Sequence, residues 1–181
     1  MSQALQISGQ THDDASQYLT FSVNNEEMAV CILDVDEIIE IGDMTRVPMS
    51  NRSIRGVINL RGNVVPVIDL SHRLGQGATE VTKRTCIILV NFVYDEEHQA
   101  MGLLVDEVNE ILEISPDAIQ KTPDFGTDIR QDFIGCIGRV DNRFIILLNI
   151  DRVLALDELS TNEQVALKHR GVPKLTDQAG E

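Results

Sequence analysis

Apolar and polar residues alternate over short runs in this chain, and few runs carry the three-and-four spacing of a long helix. Leu19, Phe21 and Val23 fall on one side of such a run and Tyr18, Thr20 and Ser22 on the other, which predicts a strand over residues 18–23. A turn at 24–27 and a strand at 28–33 follow. Val35, Ile38, Ile39 and Ile41 mix both spacings and predict a short helical turn running into a strand. The most ordered pattern is 54–70, IRGVINLRGNVVPVIDL. It predicts a hairpin with 57–61 as one strand, Gly62-Asn63 as a II′ turn and 64–68 as the return, because glycine takes the positive φ of the first turn position. Arg61 sits at the lip of that turn. Pro66 cannot donate to a ladder, so its strand is expected at a sheet edge or beside a bulge.

The same pattern divides the rest of the chain. Residues 1–16 are polar and read as a tail. The stretch 43–53, with Pro48, is a connection, and 71–82 reads as a linker. A second series opens at 85–94, where residues 86–90 are apolar on both faces. A turn at 95–97, a strand at 99–106 and a further strand candidate at 108–114 follow. Residues 116–132 connect to a last hairpin, 133–140 and 143–150, across Asp141-Asn142, a pair suited to a I′ turn. A helical turn is expected at 151–156. Ser160, with Glu163 three residues on, forms a capping box for a helix over 161–170, which Gly171 and Pro173 stop.

The two series repeat each other. Glu26-Glu27 and Glu96-Glu97 are 70 positions apart, as are Leu33–Ile38 and Leu103–Val108. Gly56 and Gly135 are 79 apart, and so are the turns Gly62-Asn63 and Asp141-Asn142. Each copy holds about five short strands and no long helix. So few strands cannot bury two faces as an open sheet, which predicts a mainly all-β fold of two small barrels with a groove between them. The barrel-forming halves are expected at about 17–72 and 84–156, within one unit at 17–158, followed by a helix-bearing extension at 159–181.

Composition narrows the function. A net charge of −14 argues against nucleic acid and against anionic membrane surfaces, which need clustered Lys and Arg. The chain has no Trp and 4% aromatics, so Val, Ile and Leu must build the core. Cys31, Cys86 and Cys136 are odd in number, far apart and flanked by apolar residues, and read as reduced, buried thiols of a cytosolic protein. Neither a signal peptide nor a spanning run is present. The sequon Asn51-Arg52-Ser53 has no meaning without secretion. His12, His72, His98 and His169 are scattered without metal-ligand spacing and read as solvated. No nucleophile elbow, P-loop or dinucleotide fingerprint occurs. Glu37 and Glu107 could be posed as an acid/base pair, but nothing nearby would separate their roles. A binding protein without catalytic residues, metal or cofactor is the expectation. A small-ligand barrel would need convergent polar groups in a closed pocket, and the pattern offers none.

The strings Ile54-Arg55-Gly56-Val57-Ile58-Asn59-Leu60-Arg61-Gly62 and Val64-Val65-Pro66-Val67-Ile68-Asp69-Leu70 resemble the signature of the CheW family of bacterial chemotaxis coupling proteins. Val35-Asp36-Glu37-Ile38 resembles that family's first-barrel segment. The resemblance covers about 17–158. It implies two SH3-like five-stranded barrels and no catalysis. It also implies a cytoplasmic adaptor, monomeric alone, that ties the cytoplasmic hairpin tips of chemoreceptors to the histidine kinase CheA. The receptor tip would dock in the groove between the barrels, and the kinase's CheW-like regulatory domain would pair with the barrel ends in rings. Carried over by position, Val35, Glu37, Gly56, Asn59, Leu60, Arg61 and Gly62 are the receptor-site candidates. An amphipathic helical partner needs an apolar groove with one or two fixed polar anchors, and Arg61 can make a forked pair with a carboxylate or carbonyl. The second reading on the same fold is a scaffold in a different sensory array, serving pili, biofilm or second-messenger output.

Overall fold

The computed structural model describes residues 16–48, 53–94, 96–122 and 133–155. Residues 1–15 of the expected tail, the C-terminal capping box and helix, His12, His169 and Asn51-Arg52 of the sequon lie outside the described residues, whereas Ser16, expected in the tail, opens the first strand. The elements in chain order are β1 (Ser16–Val23), β2 (Glu26–Cys31), a 3-10 turn (Ile32–Asp34), β3 (Val35–Glu40), β4 (Ile54–Leu60), β5 (Asn63–Asp69) and α1 (Leu70–Arg73). There follow β6 (Cys86–Tyr94), β7 (Glu97–Val105), β8 (Glu107–Ile114), a second 3-10 turn (Pro116–Ala118), β9 (Ile119–Lys121), β10 (Ile134–Val140), β11 (Arg143–Leu148) and α2 (Ile150–Val153).

The strands form two sheets, ordered β8-β1-β2-β11-β10-β9 and β3-β6-β7-β5-β4. The mainly all-β, two-barrel expectation holds, with one sheet of six strands. The two orders are the same plan. The sixth strand, β9, pairs with β10 at Gln120↔Ile137, where the other sheet has the isolated bridge Thr45↔Val57 against β4. That bridge ties β4 to the segment that follows β3 and so closes the seam between the two ends of the five-strand order.

The expected halves are corrected by this topology. The hairpin β1–β2 lies in the sheet of β8, β10 and β11, and the hairpin β6–β7 lies in the sheet of β3, β4 and β5. Each barrel takes a hairpin from the other repeat. The face pattern of the β6–β7 hairpin is compatible with this exchange. Ile87, Leu89 and Leu104 point into one core, while Ile88, Val90, Leu103 and Val105 point into another shared with Leu19, Phe21, Val23 and Met28. Strands buried on both faces serve one barrel's interior and the junction between barrels at once. The largest core therefore fills the space between the two sheets, where the sequence placed a groove, and α1 and α2 add Leu70, Ile150 and Val153 to it.

Several boundaries differ from the expectation. The helical turn precedes Val35: its N–H bonds the Ile32 carbonyl, and from Val35 the backbone is extended. The linker at 71–82 begins in α1, capped by Asp69 through the His72 N–H at 3.3 Å. Pro66 lies on an interior strand between β4 and β7, not at an edge, but the second half of the expectation holds, because the β4–β5 ladder is bulged between Ile54 and Gly56, next to the Val57↔Pro66 pair. It is tolerated because its partner Val57 spends both backbone groups on Thr45. The proline nitrogen thus faces β7, whose ladder starts only at Val67. The three cysteines are free but half-buried, and burial pushes the Cys86 thiol above its ordinary range.

Candidate functional site

The turn between β4 and β5 is set one residue earlier than the sequence suggested. Leu60 pairs with Asn63, so Arg61 and Gly62 are the central residues, with φ of 54° and 89°. Two positive φ values define a I′-type turn rather than II′. Asn59 selects this register, because its Oδ1 accepts the Gly62 N–H at 2.8 Å. The second hairpin turns as expected at Asp141-Asn142, with φ of 49° and 65°. The repeat therefore presents a cationic turn on one barrel and an anionic turn on the other.

Arg61 itself occupies the left-handed region, which costs a non-glycine residue about 1–2 kcal/mol. Its Nη2 donates to both carboxylate oxygens of Glu37, at 2.9 and 3.1 Å. Glu37 belongs to β3, and β3 and β4 are the two ends of the five-strand order, so the pair spans the barrel seam. The side chains remain 69% and 36% exposed, so the pair contributes only a few tenths of a kcal/mol to 1 kcal/mol of stability while leaving other guanidinium N–H groups directed to solvent. Ile38, next to Glu37, and Val64, two residues past the turn, are exposed apolar neighbours in the chain.

The seven candidates thus separate by position. Arg61 and Glu37 meet. Asn59 and Gly62 shape the turn. Leu60 packs against the barrel interior beside Ile58 and Val65, and Val35 packs against the core between the sheets. Gly56 is buried, and a β-carbon there would lie 2.6 Å from the Thr45 carbonyl oxygen. Glu37 and Glu107, posed as a carboxylate pair, lie in different sheets, and each faces an arginine; Glu107 takes Arg84 at 3.2 Å. An open cleft of about 600 Å³ lined by Ser115, Asp117, Gln120, Arg139 and Asp141 contains none of the seven.

A buried polar centre at the base of the same hairpin escaped the sequence reading. Asp69 is 1% exposed and receives Arg55 Nη1 at 2.8 Å, the Thr79 N–H at 2.8 Å and the Thr79 hydroxyl at 2.6 Å. Arg55 also donates to the Thr79 carbonyl at 3.0 Å. His72, expected to be solvated, is half-buried with Nδ1 3.1 Å from the Ser53 hydroxyl. The available signal was a carboxylate ending a fully apolar strand. Together these contacts fasten the segment after α1 to the base of the hairpin that carries Arg61.

Residues 17–158 match the family model described as a CheW-like domain. The chain belongs to the CheW family. It is 31% identical over 153 residues to a chemotaxis protein CheW of Klebsiella aerogenes, covering 84% of this chain and 90% of that one. It is 37% identical over 142 residues to a chemotaxis protein CheW of Rhizobium meliloti, covering 78% and 89%. The crystal structure of the scaffolding protein TtCheW from Thermoanaerobacter tengcongensis superposes with a TM-score of 0.71 at 31% identity, covering 79% of this chain and 94% of that one. CheW membership accounts for the two-barrel plan. Among the described residues no helix is long and apolar enough to cross a membrane.

Proposed function

We propose that this CheW-family chain is a non-catalytic adaptor of a chemosensory array, coupling the cytoplasmic tips of chemoreceptors to the histidine kinase CheA. The observation that carries this reading is the family match across residues 17–158. The site geometry supports it. Arg61, held over the seam by Glu37, offers guanidinium donors at an exposed turn, and the adjoining strands expose the apolar Ile38 and Val64, features that suit an amphipathic helix bearing a carboxylate or an exposed carbonyl. Val35, Gly56, Asn59, Leu60 and Gly62 frame this anchor: they set the turn, close the seam and support the strands. The chain works in the cytoplasm, is recruited to membrane receptors through its partners, and needs no cofactor. Its output is geometric, because weak contacts to receptor and kinase become a stable array once linking raises effective concentration.

The test is co-sedimentation of the full chain and kinase with receptor-containing membranes, wild type beside Arg61→Glu. Recruitment of kinase by wild type and its loss in the variant is the expected result. No recruitment by wild type overturns the reading for those receptors and directs the same assay to receptors of another array.

A further inference from the structure

The β1–β2 hairpin makes no ladder with the strands of its own repeat. β1 pairs with β8 over residues 16–22, and β2 pairs with β11 through Met28↔Ile146 and Ala29↔Leu147. The β6–β7 hairpin does the reverse, pairing with β3 and β5. Two repeats that trade hairpins in this way have the topology of a strand-exchanged dimer contained in one polypeptide.

The 16–31 hairpin contributes deeply buried side chains: Leu19, Phe21, Val23, Met28, Ala29 and Val30 are all 0–2% exposed. Its link to β3 is the opposite in character. The 3-10 turn Ile32–Asp34 contains no fully buried residue: Ile32 and Asp34 are half-buried, Ile32 against the core, and Leu33 is 83% exposed. The tip of the hairpin is held by groups outside it: the Asn24 N–H donates to Asp106 at 2.8 Å, and the Asp106 N–H donates to the Ser22 carbonyl at 3.0 Å. A second copy of this chain presents an identical receiving edge and identical tip contacts. Only the three-residue turn would change conformation, and when extended it spans about 10 Å.

We propose that the 16–31 hairpin exchanges between two copies of the chain through the 32–34 turn, giving a dimer that keeps the β1–β8 and β2–β11 ladders of the closed chain. The partner is a second copy, because the receiving edge is shaped by the same sequence that supplies the hairpin. A shortened turn that cannot fold back shifts the balance toward the dimer.

The test uses the full chain in a Cys31→Ser, Cys86→Ser, Cys136→Ser background carrying Gln17→Cys and Glu113→Cys. These two positions are exposed and directly opposite in the β1–β8 ladder, within disulfide reach. The protein is unfolded in denaturant, refolded at low and high concentration, sized by light scattering and then oxidised. A parallel chain lacks Leu33. The expected result is a dimer at high concentration, favoured at least tenfold by the deletion, whose disulfide is interchain, beside a monomer whose disulfide is intrachain. A chain that stays monomeric at every concentration overturns the proposal. So does a dimer with only intrachain disulfides, which is a surface contact. If the deleted chain fails to fold, the undeleted chain at high concentration decides between these outcomes.

Discussion

Gly56 and Thr45 lie so close that a β-carbon on Gly56 would stand 2.6 Å from the Thr45 carbonyl oxygen and 2.8 Å from Met44 Cγ. Thr45 exchanges two backbone hydrogen bonds with Val57, at 2.9 and 2.8 Å, and this bridge ties β4 to the segment that follows β3. The glycine is required for approach and not for an unusual φ.

Gly56→Ala is accordingly expected to lower stability by about 1–3 kcal/mol, as for other overpacked sites. Chemical denaturation measures it. Receptor binding should fall with the folded fraction, and a variant as stable as wild type would remove Gly56 from the closure of the seam.

Arg61→Glu should leave stability within about 1 kcal/mol of wild type, since Arg61 is mostly exposed and its partner Glu37 only half-buried, while co-sedimentation with receptor is lost. The double reversal Glu37→Arg with Arg61→Glu separates two roles. It restores an ion pair across the seam but presents the partner with exchanged charges. Stability at the wild-type level with binding still lost identifies Arg61 as a contact; recovered binding identifies the pair as a brace only.

Asp69→Ala removes the acceptor from a centre built of Arg55, Thr79 and the α1 cap. A loss of about 3 kcal/mol is expected, because the buried Thr79 groups and a mostly buried arginine lose their partner together. Thermal unfolding reads it, and faster hydrogen exchange should appear at the Thr79 amide first. Unchanged exchange there would show that Asp69 does not fasten the segment after α1.

Asp34 gives the chain a pH signature. Burial, and then the nearby Asp151 carboxylate, raises its pKa above the ordinary value of 3.8. The native state therefore holds this proton more tightly than the unfolded chain. Its contribution is favourable at low pH and is lost as pH rises from the ordinary carboxylate range through the raised value. Asp34→Asn is expected to stabilise the protein at pH 7 and to bring no gain in acid, below both values. Denaturation midpoints at the two pH values check the sign; an equal effect at both would exclude the titration as its cause.

The legible part of this protein followed from period-two alternation. β1, β6, β7 and the β10–β11 hairpin could be written down from their apolar positions, and the 86–90 run announced its two buried faces. The duplication was legible because both copies keep the same order of strands and turns. The signature around Arg61 gave the family and placed Glu37 beside it in the same proposed site. The turn register was not legible, since Gly62 satisfies the positive φ of either turn slot and only the Asn59 side chain chooses between them.

Alternation states which face of a strand is buried. It does not state which strand lies alongside. The sequence by itself determined most of the strands, the repeat and the family. Only the tertiary structure decided that the repeats exchange hairpins, because ladder bonds join backbones whose pairing leaves no mark on side-chain order. It also decided that Arg61 reaches Glu37 across a seam and that Asp69 is buried on Arg55 and Thr79. A carboxylate at a strand end reads as solvated until the fold brings a cation and a hydroxyl to it and takes the water away.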